Sequence, residues 1–163
     1  MTILSLTIKK YCLIFLSFVI GLLLMLLQLP LSLCWLNSLW PVLVLIYWIL
    51  KIPQIVNIKI ACSLGIMIDV ITNTTIGVHT TGLILISILM LKIREKILSL
   101  SSLQITAVIF WLLIMYQTVI LLMQSYVGNH FNIWSILSGA WAGTIGWLLL
   151  APLLSNLQRK FFL

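Results

Sequence analysis

From Tyr11 to Leu29 the chain runs nineteen residues without a charged side chain, close to the ~20 that an α-helix needs to cross a bilayer. In water such a segment must be covered on every side. In lipid it need only be helical, because a helix satisfies its backbone polar groups within itself. The rest of the sequence decides between these fates. Only eleven of 163 residues are charged, or 7%, against roughly 25% in a soluble domain, and the mean hydropathy is +1.29. So few charges would not cover the surface of a water-soluble fold of this size. This excludes a soluble enzyme and a disordered chain. It also excludes a nucleic-acid binder, despite the net charge of +7. The length predicts one domain, 1–163, embedded in a membrane.

Six apolar spans are expected, at approximately 11–29, 36–50, 60–72, 76–91, 103–123 and 133–154. With a cytoplasmic N-terminus, Lys9, Lys10, Lys51, Lys59, Lys92, Arg94, Lys96, Arg159 and Lys160 all fall on the inside, as the positive-inside rule requires. The outer connections 30–39, 73–75 and 124–132 carry no charge. Glu95 lies among the inner basic residues and is expected to be solvated. Span three covers about thirteen residues, or ~20 Å of helix, short of a ~30 Å hydrocarbon core. It is either a short helix shielded by its neighbours or half of a re-entrant hairpin. The expected fold is an all-α bundle of six transmembrane helices with both termini inside.

Lys9-Lys10 ahead of an apolar run resembles a signal peptide. The run is long for a hydrophobic region of 7–15 residues, however, and no small-x-small cleavage site follows. Leu33 occupies the position before Cys34 where a lipoprotein signal wants a small residue. Span one therefore reads as a retained anchor. Cys12, Cys34 and Cys62 lie in different segments with no metal-ligand spacing and read as packing or lipid-facing thiols.

Asp69 is the one acid within a span. A carboxylate at a helix centre costs about 2.5–3.5 kcal/mol on insertion scales, so it needs a compensating environment. Ala61, Gly65 and Asp69 recur every four residues and share a face, where small residues permit close helix approach. The alternatives are a proton or cation relay and a buried polar anchor. With no intramembrane partner charge, the anchor is favoured, with Asn73, Thr74, Thr75 or the first backbone N–H groups of span four as neutral partners. His79 and His130 share the outer side, but two histidines fall short of the three or four ligands of a metal site.

Span six carries Ser135, Gly139 and Gly143 in small-x-x-x-small steps, with Gly146 beyond them, a face where helix backbones meet. Trp134 fits an interfacial anchor, and Trp141 and Trp147 fit packing or lipid contact. Gln117 and Gln124, seven apart on span five, suit interhelical hydrogen bonding. No phosphate loop, nucleophile elbow or zinc motif occurs, so no enzyme activity, cofactor or metal is expected.

The central segment adds a more specific signal. Trp40-Pro41 opens a stretch ending Tyr47-Trp48-Ile49-Leu50-Lys51-Ile52-Pro53. Gly65-x-x-x-Asp69 follows, then Asn73-Thr74-Thr75-Ile76-Gly77-Val78-His79. This order resembles the MreD family of rod shape-determining proteins, with matching segments over roughly residues 40–80. The resemblance implies a non-enzymatic inner-membrane component of the bacterial elongation machinery. Its implied partners are MreC, the MreB filament and the peptidoglycan transpeptidase and glycosyltransferase, while the basic inner face is expected to add a modest attraction to membrane lipids. It also implies a fold similar to the S-components of energy-coupling-factor transporters. That similarity supplies the alternative function, a substrate-binding subunit of a vitamin transporter. Tyr47, Trp48, Pro53, Gly65, Asp69, Asn73, Gly77 and His79 are then the candidate partner-surface residues.

Overall fold

Helix boundaries follow the punctuation of the sequence. The computed structural model describes residues 2–26, 39–126 and 133–162. It forms α1 (Thr2–Leu26), α2 (Trp40–Lys51), α3 (Ile58–Ile71), α4 (Val78–Leu98), α5 (Ser102–Tyr126) and α6 (Ile133–Phe162). Pro41 lies in the first turn of α2, where a missing N–H costs nothing. Helix α2 stops before Ile52, whose position ahead of Pro53 disfavours helical backbone. Asn57 starts α3 by accepting the Lys59 N–H at 3.0 Å, a side-chain N-cap. No strand occurs among the described residues.

Among the described residues, three helices are long and apolar enough to cross a membrane, over 9–26 in α1, 102–125 in α5 and 136–160 in α6. Helix α2, at twelve residues, is too short to span unaided. Every residue from Pro41 to Leu50 is buried, so the shortest of the described helices is also the most enclosed. A helix apolar all round belongs in a core. Helices α1, α4 and α6 supply its surroundings, while α3 packs on α4 and α5 lies against α4 and α6.

Where the sequence suggested an inner loop after span four containing Lys92, Arg94 and Lys96, α4 instead continues to Leu98. A charge ends a hydrocarbon span without ending a helix, and no Gly or Pro interrupts 83–98. Ile97, 2% exposed, gives the extra turns a packing reason. Arg94 Nε donates to the Leu50 carbonyl at 3.0 Å, joining the C-terminal ends of α4 and α2.

Cross-helix contacts fix directions. Gly21 faces Pro41 and Val44, and Ser17 bonds Trp48, so α1 runs antiparallel to α2. Leu39 abuts Gly143 and Tyr47 bonds Gln158, so α6 runs alongside α2 in the same direction. The C-terminal ends of α2, α4 and α6 and the N-terminal ends of α1 and α3 therefore gather at one end of the bundle. Their basic residues gather with them.

Candidate functional site

The opposite end is organised by one carboxylate. Gly77 precedes α4 with φ +115° and ψ −19°. A helix start leaves backbone N–H groups without intrahelical acceptors, and glycine has no side chain to supply one. Asp69, buried on α3, supplies both oxygens instead. Its Oδ2 accepts from the Gly77 N–H at 2.8 Å, and its Oδ1 from the His79 N–H at 2.8 Å. The Thr80 hydroxyl donates to Oδ2 at 2.7 Å, with the Thr80 N–H longer at 3.4 Å. Thr74 Oγ1 donates to Oδ1 at 3.3 Å.

Negative charge is favoured at a helix N-terminus, and hydrogen bonds to a charged group are worth roughly 1.5–3 kcal/mol each. Two short backbone bonds and one short hydroxyl bond thus offset an insertion cost of about 2.5–3.5 kcal/mol. The arrangement is an N-cap delivered from the preceding helix. Both oxygens face donors of the same chain, which favours an anchor over a relay.

The turn between the helices is shaped to permit this. Asn73 takes φ +51°, a left-handed conformation that asparagine tolerates better than most residues. The Thr72 hydroxyl bonds the Ile68 carbonyl at 2.8 Å and meets Thr74 Oγ1 at 3.0 Å. Of the neutral partners proposed for Asp69, Thr74 and the backbone of α4 are used. Asn73 is exposed, and Thr75 is exposed as well; Thr75 instead accepts the Val78 N–H at 3.3 Å. One turn back along α3, a Cβ at Gly65 would fall on Thr80 Cα. Gly65 therefore sets how closely α3 approaches α4.

The same node reaches α5. His79 Nδ1 lies 2.9 Å from Tyr116 Oη, and Tyr116 is fully buried. A Cβ on Gly82 would come within 2.9 Å of the Tyr116 ring. Thr80, Gly82 and Tyr116 escaped the sequence reading. The run Thr80-Thr81-Gly82 at a helix start was a usable signal for the first two. Nothing local marked Tyr116, since its importance comes from a contact 37 residues away.

Tyr47 and Trp48 hold the other end of α2. The Trp48 indole N–H donates to Ser17 Oγ at 2.7 Å, and Ser17 donates to the Ile14 carbonyl at 2.7 Å. Tyr47 Oη donates to Gln158 Oε1 at 3.0 Å. Adjacent aromatics thus tie α2 to α1 and α6 respectively. Pro53 lies in the α2–α3 link, partly buried.

On α6, a Cβ at Gly139 would meet the Gln117 amide, and one at Gly143 would lie 2.7 Å from Leu113 Cδ1. Both glycines therefore face α5 of the same chain. Gly146 is buried, and Ser135 lies in the first turn of α6. Trp147 is buried, whereas Trp134 and Trp141 are exposed. Cys12 is exposed and Cys62 half-buried. Gln124 is half-buried. His130, Cys34 and the rest of the 127–132 and 27–38 connections lie outside the described residues.

The family model described as rod shape-determining protein MreD matches residues 7–161. A rod shape-determining protein MreD of Haemophilus influenzae is 31% identical over 147 residues, covering 88% of each chain. No solved structure matches.

Proposed function

The chain belongs to the MreD family of rod shape-determining proteins, and from that membership we propose that it is a non-enzymatic, multi-pass component of the bacterial inner membrane. In this reading it scaffolds the elongation complex. MreC is its direct partner, and the MreB filament and the peptidoglycan transpeptidase and glycosyltransferase are bound directly or through MreC. The six described helices form one domain in the membrane, with both termini inside. The basic ends of α1, α2, α4 and α6, drawn together by the Arg94–Leu50 and Tyr47–Gln158 bonds, support that orientation.

The observation that carries the scaffold reading is the closed hydrogen-bonding of Asp69. A substrate site needs polar groups converging on a cavity. Asp69 and His79 instead spend theirs on α4 and Tyr116, which builds a rigid α3–α4 hairpin at the outer end. That rigidity suits a docking surface and weighs against an S-component-like vitamin site.

Replacing Asp69 by Asn and, separately, Gly77 by Leu in a strain depending on this chain tests the reading. Rounded cells and reduced MreC co-purification, at unchanged membrane levels of the variants, are expected. Normal rods and full MreC recovery with both variants would overturn the role of this hairpin.

A further inference from the structure

Helices α1 and α6 diverge over α2, leaving an apolar groove of about 400 Å³ whose floor includes Trp40 and Val44. One wall is Lys9, Leu13, Leu16, Ile20 and Leu24 of α1, spaced by three or four residues and so a single helical stripe. The other is Leu150, Leu153, Leu154 and Leu157 of α6. Lys160, three residues after Leu157, continues that stripe. Because α1 and α6 run in opposite directions, Lys9 and Lys160 finish the two walls at the same end. Both are exposed.

We propose that this groove is a binding site for an anionic glycerophospholipid, with an acyl chain between α1 and α6 and the phosphate between Lys9 and Lys160. The wall from Lys9 to Leu24 is ~22 Å long at 1.5 Å per residue. That exceeds the ~15 Å of one leaflet, half of a ~30 Å core, so a full acyl chain is accommodated below its headgroup. The Ser17 hydroxyl on this wall is already engaged with Ile14 and Trp48, which leaves the groove interior hydrocarbon-like. Its only formal charge among the lining residues is at the mouth. An apolar slot with a cationic mouth complements an anionic lipid and disfavours both a zwitterionic one and an uncharged partner helix. Basic pockets between helices at the cytoplasmic face are recognised sites for anionic headgroups. Binding depends on the groove and not on which leaflet the basic end faces.

The test is native mass spectrometry of the purified full-length chain, delipidated and offered phosphatidylglycerol or phosphatidylcholine with identical acyl chains. Wild type is expected to retain phosphatidylglycerol roughly thirtyfold better, from about 1 kcal/mol for each of the two lysines near an anionic headgroup. The double variant Lys9→Gln, Lys160→Gln should lose that preference, while Lys59→Gln, basic but outside the groove, should keep it. The slot-filling pair Leu16→Trp and Leu153→Trp, at positions 55% and 60% exposed, should lose both lipids without disturbing the core. Equal retention of the two lipids by wild type would overturn the proposal, as would an equal loss in Lys59→Gln. So would a slot-filled chain that keeps its lipid but changes its oligomeric state, since the groove would then be a protein contact. These readouts are independent of cell shape and MreC recovery, so this proposal and the scaffold reading fail separately.

Discussion

Asp69 caps a helix it does not belong to. Its carboxylate takes the N–H groups of Gly77 and His79, each at 2.8 Å, where the N-cap position itself offers no side chain. One acid thereby sets the register of α3 against α4 and aligns the His79 ring with Tyr116 on α5.

Removing the acid should cost more than removing a surface cap. Asp69→Ala leaves the His79 N–H and the Thr80 hydroxyl without an acceptor in a buried site, at about 1–3 kcal/mol per group. An apparent Tm lower by roughly 5–20 °C is expected, at 2–4 °C per kcal/mol for a chain of this size. Asp69→Asn keeps one acceptor but turns an amide N–H₂ towards existing donors, so it should fall between wild type and Ala. Thermal unfolding in a fixed detergent measures all three. Asn as damaging as Ala would mean that charge near the α4 terminus, and not donor matching, dominates.

Gly65 and Gly77 are both essential on this reading, for different reasons that substitution separates. A Cβ at Gly77 would meet nothing within 4 Å, but φ is +115°. Gly77→Ala and Gly77→Leu should therefore lose a similar ~1–3 kcal/mol, set by backbone strain alone. At Gly65 the obstacle is Thr80 backbone. The loss there should exceed that at Gly77 for Ala and grow again for Leu. Equal size dependence at the two positions would refute this division.

These residues mark what was legible in the sequence. Asp69 and the small-residue face at Gly65 stood out because a charge and a four-residue spacing are local signals. The all-helical class followed from apolar runs broken by Pro30, Pro53 and the polar turn near Asn73. What stayed hidden was long-range. The caps of α4 were expected, but Thr80 as a hydroxyl donor and Tyr116 as the partner of His79 depend on helix packing that no spacing encodes. The extension of α4 to Leu98 was obscured because hydropathy reports the end of the hydrocarbon, while helix geometry carries on through Lys92, Arg94 and Lys96. The Tyr47-Trp48 pair was visible as a motif. Its division of labour between Gln158 and Ser17 was not.

That division predicts an asymmetry at Trp48. Ser17→Ala strands an indole N–H in the core, a cost of about 1–3 kcal/mol. Ser17→Thr keeps the acceptor and should retain most of the stability. Apparent Tm for the two variants checks this, and equal losses would show that the Ser17 bond to Trp48 contributes little.

The two glycines of α6 should differ in tolerance because their neighbours differ in freedom to move. At Gly139 a new methyl meets the terminal amide of Gln117, the far end of a flexible side chain; at Gly143 it is pinched between Leu113, at 2.7 Å, and Leu39, at 3.0 Å. Leu113 and Leu39 are both fully buried, and close-packed interiors resist even one added methylene, typically at 1–3 kcal/mol. Gly143→Ala should therefore lower the apparent Tm more than Gly139→Ala. Adding Leu113→Val should restore part of the loss at Gly143 and none at Gly139. If Leu113→Val rescues neither variant, the close approach of α5 and α6 at Gly143 is not what limits stability on this face.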